Sequence, residues 1–238
     1  MLMRVFMEVY ELKITLKMKD NNPTTRRDFI KSAAVISSGT FGLSMIPNPI
    51  YASEIPTENR INVMGPREGF SLHIGTLLSM MTWMRDVILM PVRGMNADQL
   101  DFLLDENSNS LGAMLLHLAA TERFYQVHTF EGKEWGDFSR EDLDRFDVAM
   151  NLGDEARKTI KGNNLEYYLD IMTEVRENTI REFKKRDDNW LMKVDEEWPW
   201  GPTNNYCKWF HVCEHESNHN GQFKYIKTRL PGGKFSRG

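Results

Sequence analysis

His211-Val212-Cys213-Glu214-His215-Glu216-Ser217-Asn218-His219-Asn220-Gly221-Gln222 lies within a segment, about Thr203 to Leu230, that reads as one long helix closed by Pro231-Gly232-Gly233. His215 and His219 are four apart. On a helix that spacing puts both imidazoles on one face about one turn apart, close enough to hold one divalent ion. The same residues match H-E-x-x-H, in which Glu216 would be the general base of a metallopeptidase. Such a peptidase takes its third ligand from downstream, and Asn220 to Gly238 contain no His, Asp, Glu or Cys. The third ligand is therefore expected upstream.

Working outward, three more long helices precede this one. From Glu68 to about Met90 the apolar residues Phe70, Ile74, Leu77, Leu78, Met81, Met84, Val87 and Ile88 recur at three- and four-residue steps, stopped by Pro91. Asn107-Ser108 offers an N-cap for a second helix through Leu111, Met114, Leu115, Leu118, Phe124 and Tyr125 to about Thr129. Gly132 to Gly162 is charged and holds at most a short helix or two, with Ser139-Arg140-Glu141-Asp142 fitting a capping pattern. Leu165 to about Lys185 is a third amphipathic helix with Leu169, Met172, Val175, Ile180 and Phe183 inward. Trp190 to Pro202 is aromatic and turn-rich. No segment alternates convincingly at period two. The expected fold is all-α, a four-helix bundle with a long connection between helices 2 and 3.

Composition agrees with a globular chain. Of 238 residues, 41% are hydrophobic and 27% charged, which excludes collagen-like, disordered and disulfide-scaffold classes. The formal charge of −4 argues against a nucleic-acid partner. No apolar run reaches the roughly 20 residues of a membrane span. Cys207 and Cys213, six apart on one helix and about 9 Å apart in rise, are beyond disulfide reach.

The first fifty residues read as an address. Thr24-Thr25-Arg26-Arg27-Asp28-Phe29-Ile30-Lys31 resembles a twin-arginine export signal, with Thr for the usual Ser and Ile for the usual Leu. A mildly apolar stretch from Ser32 to Ile46, then Pro47, Pro49 and Tyr51-Ala52-Ser53, complete the order of a secretory leader. The expected organisation is a leader over 1–52, for which Met18 is the more typical start, a linker over 53–67, the bundle over 68–233 and a tail over 234–238. Export by the twin-arginine machinery to a bacterial periplasm follows. The mature chain would carry 23 basic and 30 acidic residues, a formal −7.

His117, in Gly112-Ala113-Met114-Leu115-Leu116-His117-Leu118-Ala119-Ala120, sits on an apolar helix. Alone it fits a core histidine with a backbone or carboxylate partner. Beside a two-histidine pair on another helix it becomes the candidate third ligand, because bundle cores are where facing helices assemble metal sites. His211, Glu216 and Gln222 are candidates for hydrogen bonding around the site. Glu122, about 140° around the helix from His117, is read as structural. His73 and His128 are read as surface or helix-end residues. Cys213, about 160° from His215, is not read as a ligand.

His117 in L-H-L-A-A-x-E, followed by H-E-x-x-H-x-G-Q at His215 to Gln222 and by Leu230-Pro231-Gly232, resembles the DinB-like superfamily over about Gly65 to Gly233. The resemblance implies a four-helix bundle in which His117, His215 and His219 bind one divalent metal, with zinc or nickel the expected ion. Relatives include metal-dependent thiol S-transferases and a thiol-dependent isomerase. Three protein ligands leave open positions, the arrangement of a catalytic site. The expected chemistry is hydrolysis or thiol/group transfer on a small molecule. A non-catalytic metal- or ligand-binding bundle is the alternative. By fold analogy a homodimer is expected.

Overall fold

A computed structural model describes residues 61–232. The leader read over 1–52, the first part of the linker and the tail lie outside the described residues. The described chain is mostly helical. It runs α1 (Leu72–Leu89), a 3-10 turn (Met90–Val92), α2 (Ala97–Leu100), α3 (Leu111–Phe130), α4 (Arg140–Asn151), α5 (Gly153–Thr159), α6 (Leu165–Phe183), α7 (Asp188–Met192), β1 (Val194–Asp195), β2 (Thr203–Asn204) and α8 (Asn205–Lys227). No helix among the described residues is long and apolar enough to cross a membrane.

The four longest helices, α1, α3, α6 and α8, pack lengthwise, and α3 lies among α4, α6 and α8. Sixteen of the 20 residues of α3 are buried, so it has no solvent face and is the central element. Side-chain pairs give the directions. Tyr125 meets His211 while His117 meets His215, so α3 and α8 are antiparallel. Glu122 meets Arg176 while Gln126 meets Thr179, so α3 and α6 are parallel. Parallel neighbours cannot be joined by a tight turn, which accounts for the long connection carrying α4 and α5.

Helix ends show where local chemistry differs from the sequence reading. Ser110, rather than Asn107-Ser108, caps α3 by accepting from the Ala113 amide at 3.2 Å. Asn107 and Ser108 are engaged in a turn with Asp105. Helix α1 starts at Leu72, and its cap comes from far away: Asp188 accepts from Ser71 Oγ at 2.6 Å and from the His73 amide at 3.1 Å. A carboxylate there satisfies orphan amides and complements the helix dipole. The Asn96–Gln99 capping box that starts α2 was not read from the sequence.

Helix α4 stops at Leu152, which takes φ 53°, ψ −150°, the one non-glycine residue with positive φ among those described. The next amide, of Gly153, donates to Asn109 Oδ1 at 3.1 Å. The Trp-rich segment forms a two-residue antiparallel ribbon, Val194 opposite Asn204 and Asp195 opposite Thr203, where no strand was expected. This ribbon delays the start of α8 to Asn205, with Asn204 as its cap.

Candidate metal centre

The buried middle of α3 presents His117 to the buried face of α8, where His215 and His219 stand one turn apart. His117 is 1% exposed, His215 8% and His219 7%. One ring nitrogen from each lies within 4.8 Å of those of the other two. The structure thus brings together the three histidines singled out by their spacing.

Their hydrogen bonds fix which nitrogens face inward. His117 Nδ1–H donates to the Ala149 carbonyl at 3.0 Å. That oxygen belongs to the last turn of α4, where helix carbonyls lack intrahelical donors. His219 Nδ1–H donates to Gln222 Oε1 at 3.0 Å. Both rings therefore keep Nε2 as a lone-pair donor. His117 Nε2 lies 2.8 Å from His215 Nε2. Two such atoms at that distance need either one shared proton or a cation between them.

Among the described residues no carboxylate offsets charge on these rings, so burial and mutual repulsion keep them neutral. Burial, reinforced by the neighbouring imidazoles, lowers His215 to about 2 and His219 to about 4. Burial also lowers His117, against its hydrogen bond to the Ala149 carbonyl. At neutral pH the set is three uncharged imidazoles with converging lone pairs, a donor set that suits zinc, nickel or iron. The residues present fit a divalent ion.

The remaining candidates divide. Gln222 is the hydrogen-bond partner of His219, as just described. His211 stands beside the cluster, its ring centre 5.4 Å from that of His215 and its Nδ1 3.1 Å from Tyr125 Oη. Burial lowers His211 to about 4. Glu216 is bonded on the side turned away from the imidazoles. Its Oε1 accepts from Arg85 Nε at 2.8 Å and Arg176 Nη2 at 3.1 Å, and its hydrogen-bond partners are these arginines. A helix turns about 100° per residue, enough to aim Glu216 away from its neighbour His215. Glu122 is structural, as read, and fully buried against Arg85 and Arg176.

His128 lies in the last turn of α3, a helix-end residue as expected. It is half-buried and accepts from Lys208 Nζ through Nε2 at 2.8 Å. Both cysteines are free. Burial, then the charge on Glu216, pushes the Cys213 thiol up to about 11, so it stays protonated and is a poor nucleophile.

Two cavities flank this region. One of about 710 Å³ lies under the Trp-rich segment and is lined by Trp135, Trp190, Trp198, His128, Asp195 and Lys208 among others. A smaller one of about 360 Å³ is lined by Leu104, Met114, Gln222, Tyr225 and Ile226 among others. Met114 and Gln222 are each three residues, about one helix turn, from a site histidine, although the histidines themselves are not part of its lining.

Comparison with curated proteins gives no match. The sequence model described as mycothiol S-transferase matches residues 76–232, a span containing all three histidines. The chain belongs to the mycothiol S-transferase family, within the DinB/YfiT-like superfamily.

Proposed function

We propose that this chain is a metal-dependent thiol S-transferase on a DinB-type four-helix bundle, holding one divalent ion, zinc or nickel, on His117, His215 and His219. The observation that carries the reading is the convergence of three buried, neutral imidazoles with no carboxylate among them. The family supplies the reaction class: a low-molecular-weight thiol and a small electrophilic acceptor.

The chain's own residues prepare this chemistry. Ala149 and Gln222 hold protons on Nδ1 of His117 and His219, which leaves Nε2 of each as the binding atom. The apolar residues of α3 keep water from the far side of His117. With three neutral ligands, a bound divalent ion keeps its full charge and acts as a Lewis acid that favours the thiolate form of a thiol. The reacting sulfur belongs to the substrate, since Cys213 is buried and protonated and Cys207 lies eight residues before His215, about 12 Å along α8. The cavity beside Met114 and Gln222 is the place for the apolar part of an acceptor.

The test is elemental analysis of the purified chain, followed by thiol-conjugation assays with several low-molecular-weight thiols and a fluorogenic bimane acceptor. One metal per chain with metal-dependent conjugation supports the reading. One metal without turnover across the thiols makes the chain a metal- or ligand-binding bundle. No metal after reconstitution sinks it.

The division into leader 1–52, linker 53–67, bundle 68–233 and tail 234–238 belongs to the same proposal and rests on sequence alone. So does twin-arginine export to the periplasm. N-terminal sequencing of the protein recovered from periplasm and cytoplasm checks both. The homodimer is checked by light scattering.

A further inference from the structure

Each of the four long helices contributes one charged side chain to a single buried cluster: Arg85 from α1, Glu122 from α3, Arg176 from α6 and Glu216 from α8. Arg176 Nε donates to Glu122 Oε1 at 2.7 Å, and its Nη2 reaches Glu122 Oε2 and Glu216 Oε1, both at 3.1 Å. Arg85 donates through Nε to Glu216 Oε1 and through Nη2 to Glu122 Oε2, both at 2.8 Å. The remaining guanidinium nitrogens reach across to backbone carbonyls, Arg176 Nη1 to Met81 at 3.1 Å and Arg85 Nη1 to Met172 at 3.2 Å. Thr179 Oγ1 completes Glu122 with a 2.6 Å bond. Glu122 is 0% and Glu216 1% exposed.

A buried ion cluster is weak evidence for stability, because desolvation offsets attraction and apolar replacements are often as stable. Its geometry supplies something else. Glu122 lies five residues beyond His117 on α3, and Glu216 lies between His215 and His219 on α8. Both carboxylates are held by the same two guanidinium forks. A slip of one residue, about 1.5 Å along a helix axis, would break these bonds. Only arginine offers a planar fork that can span two carboxylates; lysine is a point charge.

We propose that the Arg85–Glu122–Arg176–Glu216 cluster is the positioning device of the metal centre, setting the register of α3 against α8 and so His117 against His215 and His219. The proposal rests on the three-histidine metal reading. Three forms of the chain test it: Glu216→Gln, which keeps size and shape; the fourfold Arg85→Met/Glu122→Leu/Arg176→Met/Glu216→Leu; and a control lacking the exposed Arg145–Glu174 pair. Zinc affinity is read by competition with a chromophoric chelator, and site geometry by the visible bands of bound cobalt(II). Apo register is read by amide hydrogen exchange around residues 117 and 211–219.

The fourfold variant is expected to keep its helical circular dichroism while binding zinc about 10–100-fold more weakly, with altered cobalt bands. Glu216→Gln is expected to weaken zinc about tenfold and speed exchange in the apo chain. The control is expected to match wild type. Wild-type zinc affinity and cobalt bands in a folded fourfold variant overturn the proposal. If that variant does not fold, the same result in Glu216→Gln overturns it. If the wild type itself takes up neither metal, the metal reading fails, and apo exchange in Glu216→Gln still decides whether the cluster sets register.

Discussion

Two histidines of α3 meet α8, about three turns apart, and they end up with different partners. His128 donates through Nδ1 to the Lys133 carbonyl at 2.8 Å and accepts from Lys208 through Nε2. Lys208 in turn bonds to Asp195 at 2.6 Å and lies 4.3 Å from the ring centre of Trp198. Both nitrogens of His128 have partners of the right kind. His117 has one such partner, Ala149, and then meets another histidine nitrogen. The same residue type on the same helix pair is a finished clamp in one place and an open ligand in the other. What marks a site is a set of imidazoles whose inward nitrogens meet one another.

The sharpest break between the two regions is mutational. His215→Ala/His219→Ala should abolish metal binding in elemental analysis while helicity survives. Lys208→Met should do the reverse: metal retained, and stability lower by about 1–3 kcal/mol in urea denaturation. That figure is below the cost of breaking a fully buried pair, because Asp195 is about a third exposed. Metal lost in Lys208→Met but kept in the double variant would invert the comparison.

Acid gives a graded version. In the folded apo chain His215 and His219 titrate at about 2 and about 4, below the ordinary histidine value near 6.5. The unfolded chain therefore takes up protons first. Apo stability is full above about pH 6.5 and falls as pH drops toward 4, by up to about 1.4 kcal/mol per pH unit for each histidine. Comparing wild type with the double alanine variant isolates this share. Equal pH slopes in the two proteins would contradict it. Metal should be released over the same descent, since protons compete for the same lone pairs.

The smallest expected effect concerns Gln222, on the exposed side of α8. Gln222→Leu removes the acceptor of His219 Nδ1–H and should weaken zinc about tenfold without altering the fold. An unchanged affinity would show that solvent orients this ring equally well.

The three histidines were legible because each lay on a helix readable from spacing, and i, i+4 geometry is local. The helices were legible for the same reason. Their directions were not, because they depend on pairs such as Glu122 with Arg176, 54 residues apart. The partners of Glu216 were not legible, because the arginines that hold it come from two other helices. His128 was legible as a helix-end residue, but its partners were not, because Lys208 and Asp195 come from the segments around the Trp-rich ribbon. The role of α4 was invisible, since it enters through a main-chain oxygen.

That oxygen has a further consequence. In an uninterrupted helix the Gly153 amide would take the Ala149 carbonyl. The left-handed turn at Leu152 diverts that amide to Asn109, so the carbonyl is left for His117. The tautomer of the central ring is thus written in the punctuation of a neighbouring helix. An engineer who smoothed the break between α4 and α5 into one continuous rod would silence that ring's inward lone pair without touching a histidine.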